Sequence, residues 1–106
     1  MAAEDYRISE AEAVDYTKAW RDDNPLGDLK AFSLSREAID AILETSDTDN
    51  LKIYFAKKEG EVTLVYLGTD SSGKDLLTNN SGESNLYDLA QPCPNFCDES
   101  SPLNSD

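Results

Sequence analysis

Two runs rich in β-branched and aromatic residues, 51–57 and 61–68, flank the triplet Lys58-Glu59-Gly60. Runs joined by a short Gly-containing link of this kind pair as an antiparallel hairpin. The stretch Val62-Thr63-Leu64-Val65-Tyr66-Leu67 is apolar or nearly so at every position. Because a strand points alternate side chains to opposite faces, such a run belongs to a strand covered on both sides. A central strand is expected here, and the other elements must be arranged around it.

The N-terminal half supplies helices. Ser9 followed by Glu12 is a capping box, which predicts a helix beginning at this point. Ala13, Tyr16, Thr17 and Trp20 recur at three- and four-residue spacings and predict one inward face, with Glu10, Asp15 and Lys18 left for water. Pro25, preceded by Asn24 and followed by Gly27, predicts a stop near residues 21–23. Residues 30–34 read as a short strand. Ser35 then caps a second helix to about Glu44, with Leu34 and Ile39 placed as a hydrophobic staple and Ala38, Ile39, Ile42 and Leu43 as its buried stripe.

Beyond the hairpin, residues 69–74 form a second turn, 75–78 begin one more strand, 79–84 form a loop, and 86–89 are a last candidate strand. From Gln91 on the composition is tail-like. A chain of 106 residues supports one modest core. The expected organisation is a single α+β domain over 1–90 and a C-terminal tail containing proline and cysteine over 91–106.

Charge excludes several functions. The 22 acidic and 9 basic residues give a formal charge of -13, which repels a phosphate backbone or an anionic membrane surface. Both halves share the excess, so no acidic tail accounts for it. No stretch approaches the roughly 20 apolar residues of a membrane span, and the first six residues show neither a basic region nor an apolar run. A soluble, cytoplasmic protein is expected, without direct nucleic-acid or membrane binding, and there two cysteines are expected to be thiols. The chain has no histidine. Ser-His and Cys-His nucleophiles and histidine metal sites are therefore excluded.

Residues 68–74 match the phosphate-loop pattern G-x-x-x-x-G-K, but Asp75 stands where a magnesium-ligating hydroxyl belongs, and a loop follows instead of a helix. A plain hairpin turn is expected. Asp70, Ser72 and Asp75, and likewise Asp47, Asp49 and Asn50, present oxygens but lack the Gly and distal Glu of a calcium loop, so they too read as turn residues.

Both cysteines lie in the run Pro92-Cys93-Pro94-Asn95-Phe96-Cys97, followed by Asp98 and Glu99. Their spacing reaches a common metal, closes a small disulfide, or serves packing. A metal site would need Asp98, Glu99 or a second copy to complete it, since zinc takes four ligands. Acidic neighbours oppose the thiolate that redox chemistry needs. Cys93 and Cys97 are the candidate metal or redox residues, and no cofactor and no catalytic residue is expected.

The order of several short motifs is informative: Ile8-Ser-Glu-Ala-Glu-Ala13, Ala19-Trp-Arg21, Asn24-Pro25, Lys30-Ala-Phe-Ser-Leu34, Ile53-Tyr-Phe55, Leu64-Val-Tyr-Leu-Gly-Thr-Asp70, Gly73, Asp75, Tyr87-Asp-Leu-Ala, and the Pro-Cys-Pro segment. Over most of its length the chain resembles a group of small uncharacterised bacterial proteins ending in a Pro-Cys-Pro-x-x-Cys-type segment. The resemblance brings no activity or cofactor with it. It implies only that Cys93 and Cys97 are a paired feature.

These readings converge on an α+β fold of two helices packed on a small, mainly antiparallel sheet, with Trp20, Phe32, Ile39, Ile42, Leu43, Ile53, Phe55, Leu64 and Tyr66 as its expected core. The expected function is a non-enzymatic protein-interaction or accessory domain, monomeric or dimeric, that contacts a protein partner through an acidic or mixed surface including Asp22 and Asp23. The alternatives are a thiol-dependent metal-binding or redox-sensitive protein using Cys93 and Cys97, and an acidic nucleic-acid mimic or inhibitor.

Overall fold

The expected hairpin is present, and it organises the larger half of the fold. The computed structural model describes residues 3–24, 29–88, 90–93 and 97–103. After a 3-10 turn at Ala3–Tyr6 come α1 (Glu10–Asp23), β1 (Ala31–Leu34), α2 (Arg36–Leu43), β2 (Asn50–Lys58), β3 (Glu61–Thr69), β4 (Asp75–Leu76) and β5 (Ala90–Cys93). The fold is α+β, with two α-helices and small antiparallel sheets. The chain divides into two compact units, one of Met1–Phe32 with Pro92–Asp106 and the other Ser33–Gln91.

Within Ser33–Gln91, β2, β3 and β4 form a three-stranded antiparallel sheet in that order. The β2–β3 register runs unbroken from Asn50↔Thr69 to Lys58↔Glu61. Glu59 and Gly60 make the two-residue turn, both with positive φ (54° and 83°). This is the backbone sign pattern of a type I′ turn, whose twist matches that of the strands it joins. The central position of β3 explains its apolar composition. Leu64, Tyr66 and Leu67 are buried, and Thr69 is buried with them. On its far side β3 bonds to β4 and, through reciprocal amide bonds, to Tyr87 (Tyr66 N–H to Tyr87 O 2.8 Å; Tyr87 N–H to Tyr66 O 3.1 Å). The expected strand over 86–89 is thus a single bridge at Tyr87, and Leu89 lies outside the described residues.

Helix α2 packs on β3. Ser35 caps it by accepting from the Ala38 N–H at 3.4 Å. Ala38, Ile42 and Tyr66 form the buried cluster, against which Leu34, Ile39 and Tyr87 pack. Gly68 is a steric requirement of this packing. A Cβ there would stand 2.8 Å from Thr48 Cγ2 and 3.1 Å from Ile42 Cγ2, and Thr48 is itself held by its hydroxyl on the Ile42 carbonyl at 3.2 Å.

In the other unit, α1 has the expected capping box. Ser9 Oγ accepts from the Glu12 N–H and Glu12 Oε1 accepts from the Ser9 N–H, both at 3.0 Å, which holds the Glu12 carboxyl below its ordinary range, the Ser9 amide acting most strongly and its hydroxyl next. The helix ends at Asp23, with Asn24 as its C-cap. Pro25 and Gly27, the expected stop, lie outside the described residues. Strands β1 and β5 form a two-stranded sheet, and the Lys30 N–H donates to the Cys93 carbonyl at 2.6 Å. The sequence reading placed no strand at β5.

The expected core is partly corrected. Ile42, Leu64 and Tyr66 are buried, and Phe32 and Ile39 are half-buried. Trp20 is 52% exposed and sends its indole N–H to the Leu29 carbonyl at 2.6 Å, while Arg21, next along the helix, is 6% exposed and donates to the Leu103 carbonyl. The less exposed face of α1 is therefore Ala13, Val14, Thr17 and Arg21, with a guanidinium meeting a carbonyl oxygen where the spacing placed an aromatic ring. Leu43, Ile53 and Phe55 are exposed. Leu43 is the last residue of α2, and the other two lie on β2 at the outer edge of the sheet.

Candidate functional site

The exposed row on β2 follows from the register. Gly68 points toward α2, as does Tyr66, so the alternate residues of β3 from Val62 to Gly68 share that face. Their partners on β2 are Lys57, Phe55, Ile53 and Leu51, and directly opposed residues in an antiparallel pair point to the same side. An eight-residue helix is only about 12 Å long and roughly 10 Å wide. Seated on β3, it leaves the neighbouring β2 row open. Phe55 is 86% exposed, and Leu51, Ile53 and Val62 are exposed beside it.

The same register orients the backbone of this edge. The polar groups of Tyr66 are used on Tyr87, away from β2. Tyr66↔Ile53 is therefore a non-hydrogen-bonded pair of the β2–β3 ladder, and the N–H and C=O of Ile53 face outward. Alternation gives Leu51, Phe55 and Lys57 the same outward direction. Among the described residues, no strand lies outside β2.

The opposite face carries a polar constellation. Lys52 Nζ lies 3.0 Å from Asp75 Oδ1 and 4.8 Å from the Tyr54 ring centroid, and the Tyr54 hydroxyl donates to Asp75 Oδ2. The Tyr54 hydroxyl, then Lys52, holds the Asp75 carboxyl below its ordinary range. The same hydroxyl, then Asp75, raises the Lys52 ammonium. Asp75 is the residue that breaks the phosphate-loop pattern, and its carboxylate is committed to this cross-sheet tie. The loop itself is a turn around Asp70, whose Oδ1 accepts from the N–H groups of Ser72 (2.9 Å) and Lys74 (3.0 Å), with Gly73 at φ 86°. Asp47 and Asp49 line an open cleft with Asp70 and Lys74.

Cys93 and Cys97 are joined by a disulfide, with Cα atoms 4.9 Å apart, which corrects the expectation of free thiols. That Cα separation lies within the span a disulfide bridges. Cys93 is buried at the end of β5. Of the neighbours considered as extra metal ligands, Asp98 accepts from the Ser100 hydroxyl at 2.6 Å and amide at 3.1 Å, which hold its carboxyl low. Among the described residues, no group of three His, Cys, Asp or Glu is close enough to hold a metal ion. Pro94, Asn95 and Phe96 lie outside the described residues.

The β2 row is the feature that sequence reasoning missed. Its residues read as core because β-branched and aromatic residues in a hairpin usually are. The three lysines of β2, Lys52, Lys57 and Lys58, were the available signal, since lysine marks sheet edges. No protein-family model, curated protein or solved structure significantly matches this chain.

Proposed function

We propose that this chain is a non-enzymatic protein-interaction domain that contacts its partner through the β2 row. One observation carries the reading: Phe55, at 86% exposure, stands in line with exposed Leu51 and Ile53 on an edge strand. Single exposed apolar residues are ordinary, but a contiguous row beside open backbone groups is characteristic of a recognition surface. Aromatic anchors of this kind carry a large share of binding energy at protein interfaces. In partner capture by the full chain, Phe55→Asp is expected to abolish binding; a loss on charge reversal at Asp22 and Asp23 instead would return the contact to the acidic surface expected from the sequence. Capture unchanged by Phe55→Asp overturns the reading.

A second reading, a redox-sensitive clasp, is favoured by the Cys93–Cys97 bond. Closing a loop this small stabilises a chain by about 2 kcal/mol in the loop-entropy account. Reduction, or replacement of both cysteines by serine, is expected to lower the thermal midpoint by a corresponding amount. A midpoint indifferent to reductant rejects the clasp.

A further inference from the structure

We propose that the exposed side of α1 binds a basic segment of a protein partner, rich in arginine or lysine, through the rings of Tyr16 and Trp20 and the carboxylate of Asp23. Successive helical residues are turned by about 100°, so Trp20, Tyr16, Asp23, Glu12, Ala19 and Asp15 follow one another around roughly 140° of the helix surface. All of them are exposed. The sector holds two aromatic rings and three carboxylates, and no cation. Of the basic residues of α1, Arg21 is buried on another side of the helix, and Lys18 is paired with Asp22 at 3.0 Å. Asp15 and Asp23 make no ion pair among the described residues. The cation that this sector lacks is what a basic partner supplies.

The bond from the Trp20 indole N–H to the Leu29 carbonyl, at 2.6 Å, fixes the ring while leaving it 52% exposed. Tyr16, one turn earlier, is 60% exposed, and helical residues four apart are surface neighbours, so the two rings make one aromatic surface. Exposed rings alone would suit many apolar partners. Charge decides among them. A helix C-terminus carries a partial negative charge that favours cations, yet the last turn of α1 carries Asp22 and Asp23, and its one basic residue, Arg21, is buried. The helix therefore ends in excess negative charge beside two ring faces. A guanidinium or ammonium group answers both, since ring faces attract cations and its N–H groups bond carboxylates. A second copy, at a net charge of -13, and a phosphate-bearing ligand meet these carboxylates with the wrong sign. From Glu12 to Asp23 the stripe is about 16 Å long, which about five residues of extended chain span. Because α1 and β2 belong to different units, this surface is additional to the Phe55 row.

The test titrates a fluorescently labelled oligo-arginine peptide with the full chain at near-physiological salt, read by anisotropy. Saturable binding that weakens as salt rises is expected. Tyr16→Leu should weaken it about threefold, and Tyr16→Leu with Trp20→Leu about tenfold, because leucine keeps apolar area but offers no ring face. Asp23→Asn should weaken it about threefold. Glu61→Gln, which removes the same charge from the exposed start of β3, should leave it unchanged. Tyr16→Leu and Asp23→Asn keep the Trp20 bond to Leu29, so they decide the question if the double variant fails to fold. No saturable binding overturns the proposal. Equal losses for Asp23→Asn and Glu61→Gln overturn it as well, because they assign the attraction to net charge alone, as does a neutral peptide of the same length that binds equally well. None of these results bears on partner capture through Phe55, which the Phe55→Asp comparison judges separately.

Discussion

Replacing Tyr66 by alanine is expected to destabilise the fold by about 3–5 kcal/mol, read as a lowered urea midpoint with an unchanged denaturant slope. Tyr66 is fully buried on the central strand and forms the apolar cluster with Ala38 and Ile42. Its ring centroid lies 6.2 Å from that of Tyr87, and its backbone makes the reciprocal bonds that hold residue 87 to the sheet. Truncation removes the side chain between α2 and β3 and leaves a cavity that a short helix fixed at Ser35 closes only in part. Domains of this size are stable by only about 5–15 kcal/mol in all, so this one side chain carries a large fraction. A loss below about 1 kcal/mol would mean that α2 is not seated on β3 through Tyr66.

Asn85→Ala is expected to cost about 2–3 kcal/mol, because it unpairs buried polar groups. The Asn85 side chain is 1% exposed. Its amide donates to Thr45 Oγ1 at 2.9 Å and its carbonyl accepts from the Tyr87 hydroxyl at 3.2 Å, while Thr45 donates onward to the Ala41 carbonyl at 3.3 Å. This chain of bonds ties the end of α2 to the segment between β4 and β5, which has little ladder pairing of its own. Asn85→Asp separates hydrogen bonding from volume. A carboxylate still accepts from Tyr87 but has nothing to donate to Thr45, and burial penalises its charge. The folded-state pKa of the introduced carboxyl would therefore be raised, so the destabilisation by Asn85→Asp should be larger at neutral pH and shrink as the pH falls into the carboxylate range. Equal losses for both variants at all pH values would assign the role of Asn85 to packing alone.

Local signals in the sequence anticipated local structure well. The Ser9–Glu12 box, the Ser35 cap and the Lys58-Glu59-Gly60 turn each stand where expected, because each depends on residues within four positions of one another. Burial was read less accurately. Ile53 and Phe55 carry the same apolar signature as Leu64 and Tyr66, but strand order places one pair at the edge and the other at the centre. On α1 the periodicity was found, but its phase was off by about one residue, because Arg21 reaches a carbonyl 82 positions away at Leu103. The candidate site was invisible for the same reason: an exposed row is defined by what fails to cover it.

The amino-acid sequence alone determined the two helices, the antiparallel hairpin, the helix caps and the negative charge that disfavours a phosphate partner. Each is set by spacing along the chain or by composition. The tertiary structure alone decided that β2 is an edge, that Tyr66 rather than Phe55 is enclosed, that Asp75 is tied to Lys52 and Tyr54, and that Asn85 holds Thr45 and Tyr87. These depend on which distant residues meet. Such meetings are governed by the area one short helix can cover and by the need of each buried polar group for a partner.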